Sequence, residues 1–117
     1  YCNNIGELQI PHEEIQRAED CVDGVLKALK EKSGTRLLKA CTQLKGKQTE
    51  TDKIDCLLFF KVFQKRLYRM FENFELSFEC IQPLFICKQE LNRNAINKRA
   101  SIESMLIKIL EEIKEND

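Results

Sequence analysis

The chain has 117 residues, 43% apolar and 32% charged, with nineteen basic and nineteen acidic side chains. That length is one domain's worth and can bury a core of its own, so a single domain over 1–117 is expected and a disordered chain is excluded. The zero formal charge gives no global pull toward nucleic acid, and no apolar run nears the roughly 20 residues needed for membrane insertion.

Four glycines and two prolines punctuate the chain, and no segment alternates as a half-buried strand does. An all-α bundle of four to five helices is therefore expected. The first helix is placed to start at Pro11, a residue suited to the first helical position because it lacks an N–H. Ile15, Ala18, Val22, Val25 and Leu29 repeat at helical spacing and form one buried stripe, with Cys21 and Leu26 at its flank. Ser33-Gly34 is the expected stop. Thr35 is the expected cap of a short second helix carrying Leu37, Leu38, Cys41 and Leu44.

Thr49 and Asp52 resemble a capping box ahead of a third helix from about Asp52 to about Phe74. Its adjacent apolar pairs, Leu57-Leu58 and Phe59-Phe60, imply burial over a wide arc and a place at the bundle centre. Pro83 breaks the following segment, after which Leu84, Cys87 and Leu91 define a fourth helix. A break near Asn92–Asn97, where asparagines weaken helix propensity, separates it from a last helix capped by Ser101. Ile102, Met105, Leu106, Ile109, Leu110 and Ile113 form the apolar face of that helix.

Six cysteines, Cys2, Cys21, Cys41, Cys56, Cys80 and Cys87, lie at gaps of 18, 19, 14, 23 and 6 residues. No CxxC pair occurs and His12 is the only histidine, so a metal site is not expected. An even count in a short chain points to three disulfides and an oxidising, extracellular setting. The chain opens at Tyr1 and not Met, as removal of a signal peptide would leave it, so a secreted protein is expected. Cys41 and Cys56 flank the Gly46–Thr51 turn and make the best single pair. Cys2 and Cys21 would then join Cys80 and Cys87 in either order. Cys80 and Cys87 on one straight helix would lie about 10 Å apart, beyond disulfide reach, but Pro83 can turn the chain between them, so this pairing is demoted and not excluded.

His12 has no neighbour in sequence that would make it a general base, and a solvated position is expected for it. There is no glycine-rich phosphate loop, HExxH or EF-hand motif, so no cofactor and no enzymatic activity is expected. Asp52 and Asp55 share a helix face but suit a helix start better than catalysis.

Two features remain. Eight of the nine aromatic residues lie between Phe59 and Phe85. They form either a phenylalanine core or an apolar-ligand pocket among Phe59, Phe63, Phe71, Phe78 and Phe85. Lys61, Lys65 and Arg69 make one row along the third helix, with Arg66 a step around it. This stripe is either the wet face of the helix or a docking patch for an acidic protein surface or a sulfated polysaccharide. A second basic cluster, Lys88, Arg93, Lys98 and Arg99, precedes an acidic tail of Glu111, Glu112, Glu115 and Asp117, so local charge is segregated although the total cancels.

Cys21, Cys41, Cys56, Cys80 and Cys87, combined with the Phe-rich third helix, resemble the small all-helical salivary proteins of anopheline mosquitoes, the albicin and anophensin group. The resemblance spans the whole chain in mature length, helical character, disulfides, charged helix faces and absence of catalytic motifs. It implies a non-enzymatic inhibitor that docks on a host plasma protein. Partners so implied are the alternative-pathway C3 convertase of complement and contact-system proteins such as factor XII and kininogen. A carrier of a small apolar ligand and a helical cytokine-like signalling protein are the alternatives.

Overall fold

The computed structural model describes residues 12–46, 52–73, 78–93 and 97–115. These form five helices: α1 (His12–Lys30), α2 (Gly34–Cys41), α3 (Cys56–Glu72), α4 (Gln82–Leu91) and α5 (Lys98–Glu115). A 3-10 turn at Phe78–Cys80 precedes α4, and no strand occurs among the described residues. The fold is all-α. Cys2, Pro11, Thr49 and Phe74 lie outside the described residues.

α1 buries Ala18, Cys21, Val22, Val25, Ala28 and Leu29, which takes in the expected stripe except for Ile15, left half-buried near the start of the helix. Glu13 and Glu14 in the first turn, and Lys27 and Lys30 in the last, suit the helix dipole. The stop falls earlier than Gly34. Lys32 takes the left-handed conformation at φ 56°. Its N–H donates to Leu29 O at 3.1 Å, and the Ser33 N–H donates to Ala28 O at 3.0 Å. These two bonds satisfy carbonyls that the helix end leaves unpaired. The Ser33 hydroxyl then accepts from the Arg36 N–H at 3.2 Å and caps α2, so Thr35 lies inside the helix it was expected to cap.

After α2 the chain does not form a tight helical hairpin. Leu44 pairs with Ile54 in an isolated parallel bridge. The Lys45 N–H donates to Ile54 O and the Ile54 N–H to Gln43 O, both at 2.8 Å. This clasp holds Asp52 in a turn and delays α3 to Cys56. Asp55 becomes the cap, its carboxylate accepting from the Leu58 N–H at 3.0 Å. Asp55→Ala is expected to lower stability by about 1 kcal/mol, with Asp55→Ser restoring most of it. Urea midpoints decide this, and an unshifted midpoint would show that the cap contributes nothing.

Pro83 sits in the first turn of α4, and Gln82–Leu91 and Lys98–Glu115 are separate helices, as the asparagine-rich break led one to expect. The cap of α5 is Asn97, whose side-chain oxygen accepts from the Ala100 N–H at 3.1 Å. Ser101 lies one turn inside, and is buried.

The centre of the bundle is α5, not α3. α5 packs against α1, α2, α3, α4 and the 3-10 turn. Its Ile102, Met105, Leu106, Ile109 and Leu110 are all buried. α3 cannot occupy the middle because Lys61, Lys65 and Arg69 keep one side of it in water. It contributes Cys56, Phe59, Phe60, Phe63 and Leu67 to the core, with Phe59 and Phe63 stacked at 5.8 Å between ring centroids.

The disulfide framework is corrected by the structure. No disulfide joins two of the described cysteines, and Cys21, Cys41, Cys56, Cys80 and Cys87 are all buried. The reason lies in their register. Cys21 continues the α1 stripe, Cys41 follows Leu37 by one turn, Cys56 precedes Phe59 and Phe60, and Cys87 lies between Leu84 and Leu91. Each stands where a small apolar side chain is needed, and a thiol serves as one. The expected Cys41–Cys56 bond is absent: the two thiols are near enough to influence each other electrostatically, yet each is packed into the core as a separate apolar group.

Candidate functional site

The basic stripe converges on a groove. α1 and α3 pack together, and along their seam lies an open cleft of about 300 Å³. Ile15 and Glu19 line it from α1; Leu58, Lys61, Val62, Lys65, Arg66 and Arg69 line it from α3. All four basic residues singled out from the sequence are therefore brought to one place.

The local sequence explains the geometry. Leu58, Val62 and Arg66 follow at intervals of four, and Lys65 and Arg69 lie three and seven residues after Val62, so all five share one side of α3. The aliphatic members stop at Val62 and the cations begin, so the floor is greasy and the outer wall charged. Leu58 and Val62 are half-buried, and Ile15 meets them from the first turn of α1 in the same half-buried state.

The four cations are not equivalent. Arg66 forms an ion pair with Asp23 of α1, bridging the two walls, and is half-buried. It ties the two helices together at the edge of the groove. Lys61, Lys65 and Arg69 are exposed. Among the described residues, no carboxylate pairs with Lys65 or Arg69. Glu19 is the carboxylate among the lining residues, and Lys65 and Arg69 are the lining cations without a carboxylate among the described residues. The arrangement can attract an anion to the α3 wall and bury an apolar group on the floor beside it.

Sequence reasoning does not single out Ile15, Glu19, Leu58 or Val62 as site residues; Ile15 and Leu58 read as core. A signal existed: an apolar arc on α3 wider than one neighbouring helix could cover, bordered at once by lysines.

The phenylalanines do not gather into one chamber. Phe59 and Phe63 are wholly buried, whereas Phe71, Phe78 and Phe85 are 37%, 52% and 48% exposed. Phe71 and Phe78 pair with each other at 6.4 Å at the surface. His12 is exposed at the start of α1. Lys88 and Arg93 of the second basic cluster are exposed, while Arg99 pairs with Glu103 at 3.4 Å.

The core holds a set of thiols with altered acidity. The Cys21 Sγ donates to Ala40 O at 3.7 Å, Cys56 to Lys45 O at 3.3 Å and Cys87 to Ser101 O at 3.7 Å. Burial pushes Cys21 and Cys56 up to about 11, and Cys41 and Cys87 up to about 12. At Cys41 the carboxylate of Glu103 adds to the effect of burial, and at Cys87 that of Glu90 does. Such thiols stay protonated and are poor nucleophiles at neutral pH. Among the described residues, no three of His, Cys, Asp and Glu are gathered so as to hold a metal ion, and no helix is long and apolar enough to cross a membrane.

Comparison with family models, with curated proteins and with solved structures finds no match to this chain.

Proposed function

We propose that this chain is a secreted, non-enzymatic protein-binding module that inhibits a host defence cascade, with the α1–α3 groove as its contact surface. One observation supports it above the others. Lys61, Lys65 and Arg69 remain exposed on a helix whose opposite side is core, and they border an aliphatic floor that the bundle leaves uncovered. A cationic wall steers an acidic partner into encounter, and an apolar floor holds it there. The resemblance to the mosquito salivary group names the candidate partners: the alternative-pathway C3 convertase, or a contact-system protein. The carrier reading is favoured less, because the five phenylalanines it needs are divided between core and surface.

A complement haemolysis assay and a contact-activation clotting assay, both at micromolar protein, test the cascade. Inhibition of either is expected, and no effect in both would remove this reading. On the partner so found, Lys65→Glu with Arg69→Glu should slow association by about tenfold or more at low salt, as expected when electrostatic steering is reversed. The effect should shrink at 1 M salt, where the screening length is about 3 Å. Thermal stability should stay nearly unchanged, since exposed charges contribute little to folding. Unchanged association in surface plasmon resonance would make the stripe merely the solvated side of α3.

A further inference from the structure

We propose that the occupant of the α1–α3 groove is an acidic amphipathic helix of the partner, with carboxylates at successive helical turns along one edge and aliphatic side chains on its inner face. This rests on the reading of the groove as a docking surface and names the chemistry that fits it.

The spacing of charge carries the argument. Lys61, Lys65 and Arg69 follow at intervals of four, so they stand about 6 Å apart in a row about 12 Å long. That is too long for a single phosphate or sulfate group to span. It matches carboxylates at i, i+4 and i+8 on a second helix lying alongside. Ile15, Leu58 and Val62 give the row an aliphatic flank. A hydrated polysaccharide would meet the cations and leave this flank exposed to water. An amphipathic helix uses both, which is the helix-in-groove mode of recognition.

The two walls also differ in sign. The α3 wall carries the cations, and the α1 wall carries Glu19 and, paired to Arg66, Asp23. An incoming helix acidic on both edges would meet repulsion on the α1 side. The fitting helix is acidic only on the edge facing α3 and neutral or basic on the other. This asymmetry fixes the orientation of the partner and separates it from a generic polyanion.

The test is fluorescence anisotropy on the intact protein with three probes. The first is a helix-stapled peptide with Glu at i, i+4 and i+8 on one edge, Leu on the inner face and Lys on the other edge. The second has the same composition in permuted order. The third is heparin, used as a competitor. The designed peptide should bind, the permuted one at least about tenfold more weakly, a difference of about 1.4 kcal/mol. Lys65→Glu with Arg69→Glu should weaken the designed peptide by a similar factor. Val62→Thr, which keeps the shape but adds a hydroxyl to the floor, should weaken it less, and still measurably at high salt where the charges are screened. Circular dichroism establishes that each variant is folded. Equal binding of the two peptides, no binding by either, or displacement of the designed peptide by heparin at equal charge concentration would overturn the proposal. So would self-association in analytical ultracentrifugation that the groove variants abolish, since the occupant would then be a second copy. Peptide binding without any effect on complement or clotting would remove the cascade reading and leave the groove. Inhibition of a cascade without peptide binding would do the reverse.

Discussion

Phe63→Ala is expected to lower the folding free energy by about 3–5 kcal/mol, the range for removing a fully buried aromatic ring. Phe63 is wholly buried and lies nearly parallel to Phe59, with 9° between the ring planes. Removing it deletes apolar surface from the core, forfeits the stacking contact and leaves a void that α3 can close only in part. A domain of this size holds about 5–15 kcal/mol in total, so the variant would lose a large share of its stability. Phe85→Ala is the matched control. Its ring is 48% exposed, and its truncation should cost far less. Urea denaturation followed by helical circular dichroism measures both. Similar losses for the two would mean that Phe85 is covered in solution, which is what a ring inside a ligand chamber would show. The experiment therefore also weighs the apolar-carrier alternative.

The second large effect is a loss of stability in alkali that depends on the buried thiols. In the unfolded chain a thiol ionises near 9.0, whereas Cys41 and Cys87 in the folded protein are raised to about 12 and Cys21 and Cys56 to about 11. Below pH 9 both states keep their protons and the contribution to stability is whole. As the pH climbs from about 9 toward 11 or 12, the unfolded chain releases thiol protons first, and stability falls. Each such thiol lowers it by about 1.4 kcal/mol per pH unit within that window. In reductant, the urea midpoint should drop steeply between pH 9 and 10.5. Cys41→Ala with Cys87→Ala should be less stable at pH 8, because two side chains leave the core, yet should decline less steeply above pH 9. The two proteins share every other ionisable group, so the difference in slope belongs to the cysteines. Equal slopes would show that the thiols are not held protonated by burial.

A thiol held at 1–3% exposure, as Cys21, Cys41 and Cys87 are, is shielded from oxidants as well as from water. The groove depends on the same packing. Its α1 wall is fixed by Ala18, Val22 and Val25 in the core, and its α3 wall by Phe59 and Phe63. Mutations in that core should therefore weaken binding through lost alignment as well as lost stability.

By itself, the sequence determined the helices and their buried sides. The 3.6-residue repeat of Ala18, Val22, Val25 and Leu29, and of Ile102, Leu106 and Ile109, admits one inward face, and burial followed it. Pro83 and the asparagines near 92–97 act through local dihedrals, so their breaks were legible too. Helix starts were less so, because Ser33, Asp55 and Asn97 compete with neighbours of similar capping chemistry, and packing chooses among them. Three matters were decided only by tertiary structure. The central position went to α5 over the richer α3, because a helix with a lysine row cannot be enclosed. The described cysteines became part of the core, because whether two sulfur atoms meet depends on how the helices pack, which a sequence spacing does not encode. The basic row became a groove wall only when α1 laid Ile15 and Glu19 beside it, since a groove needs two helices and a sequence pattern describes one at a time.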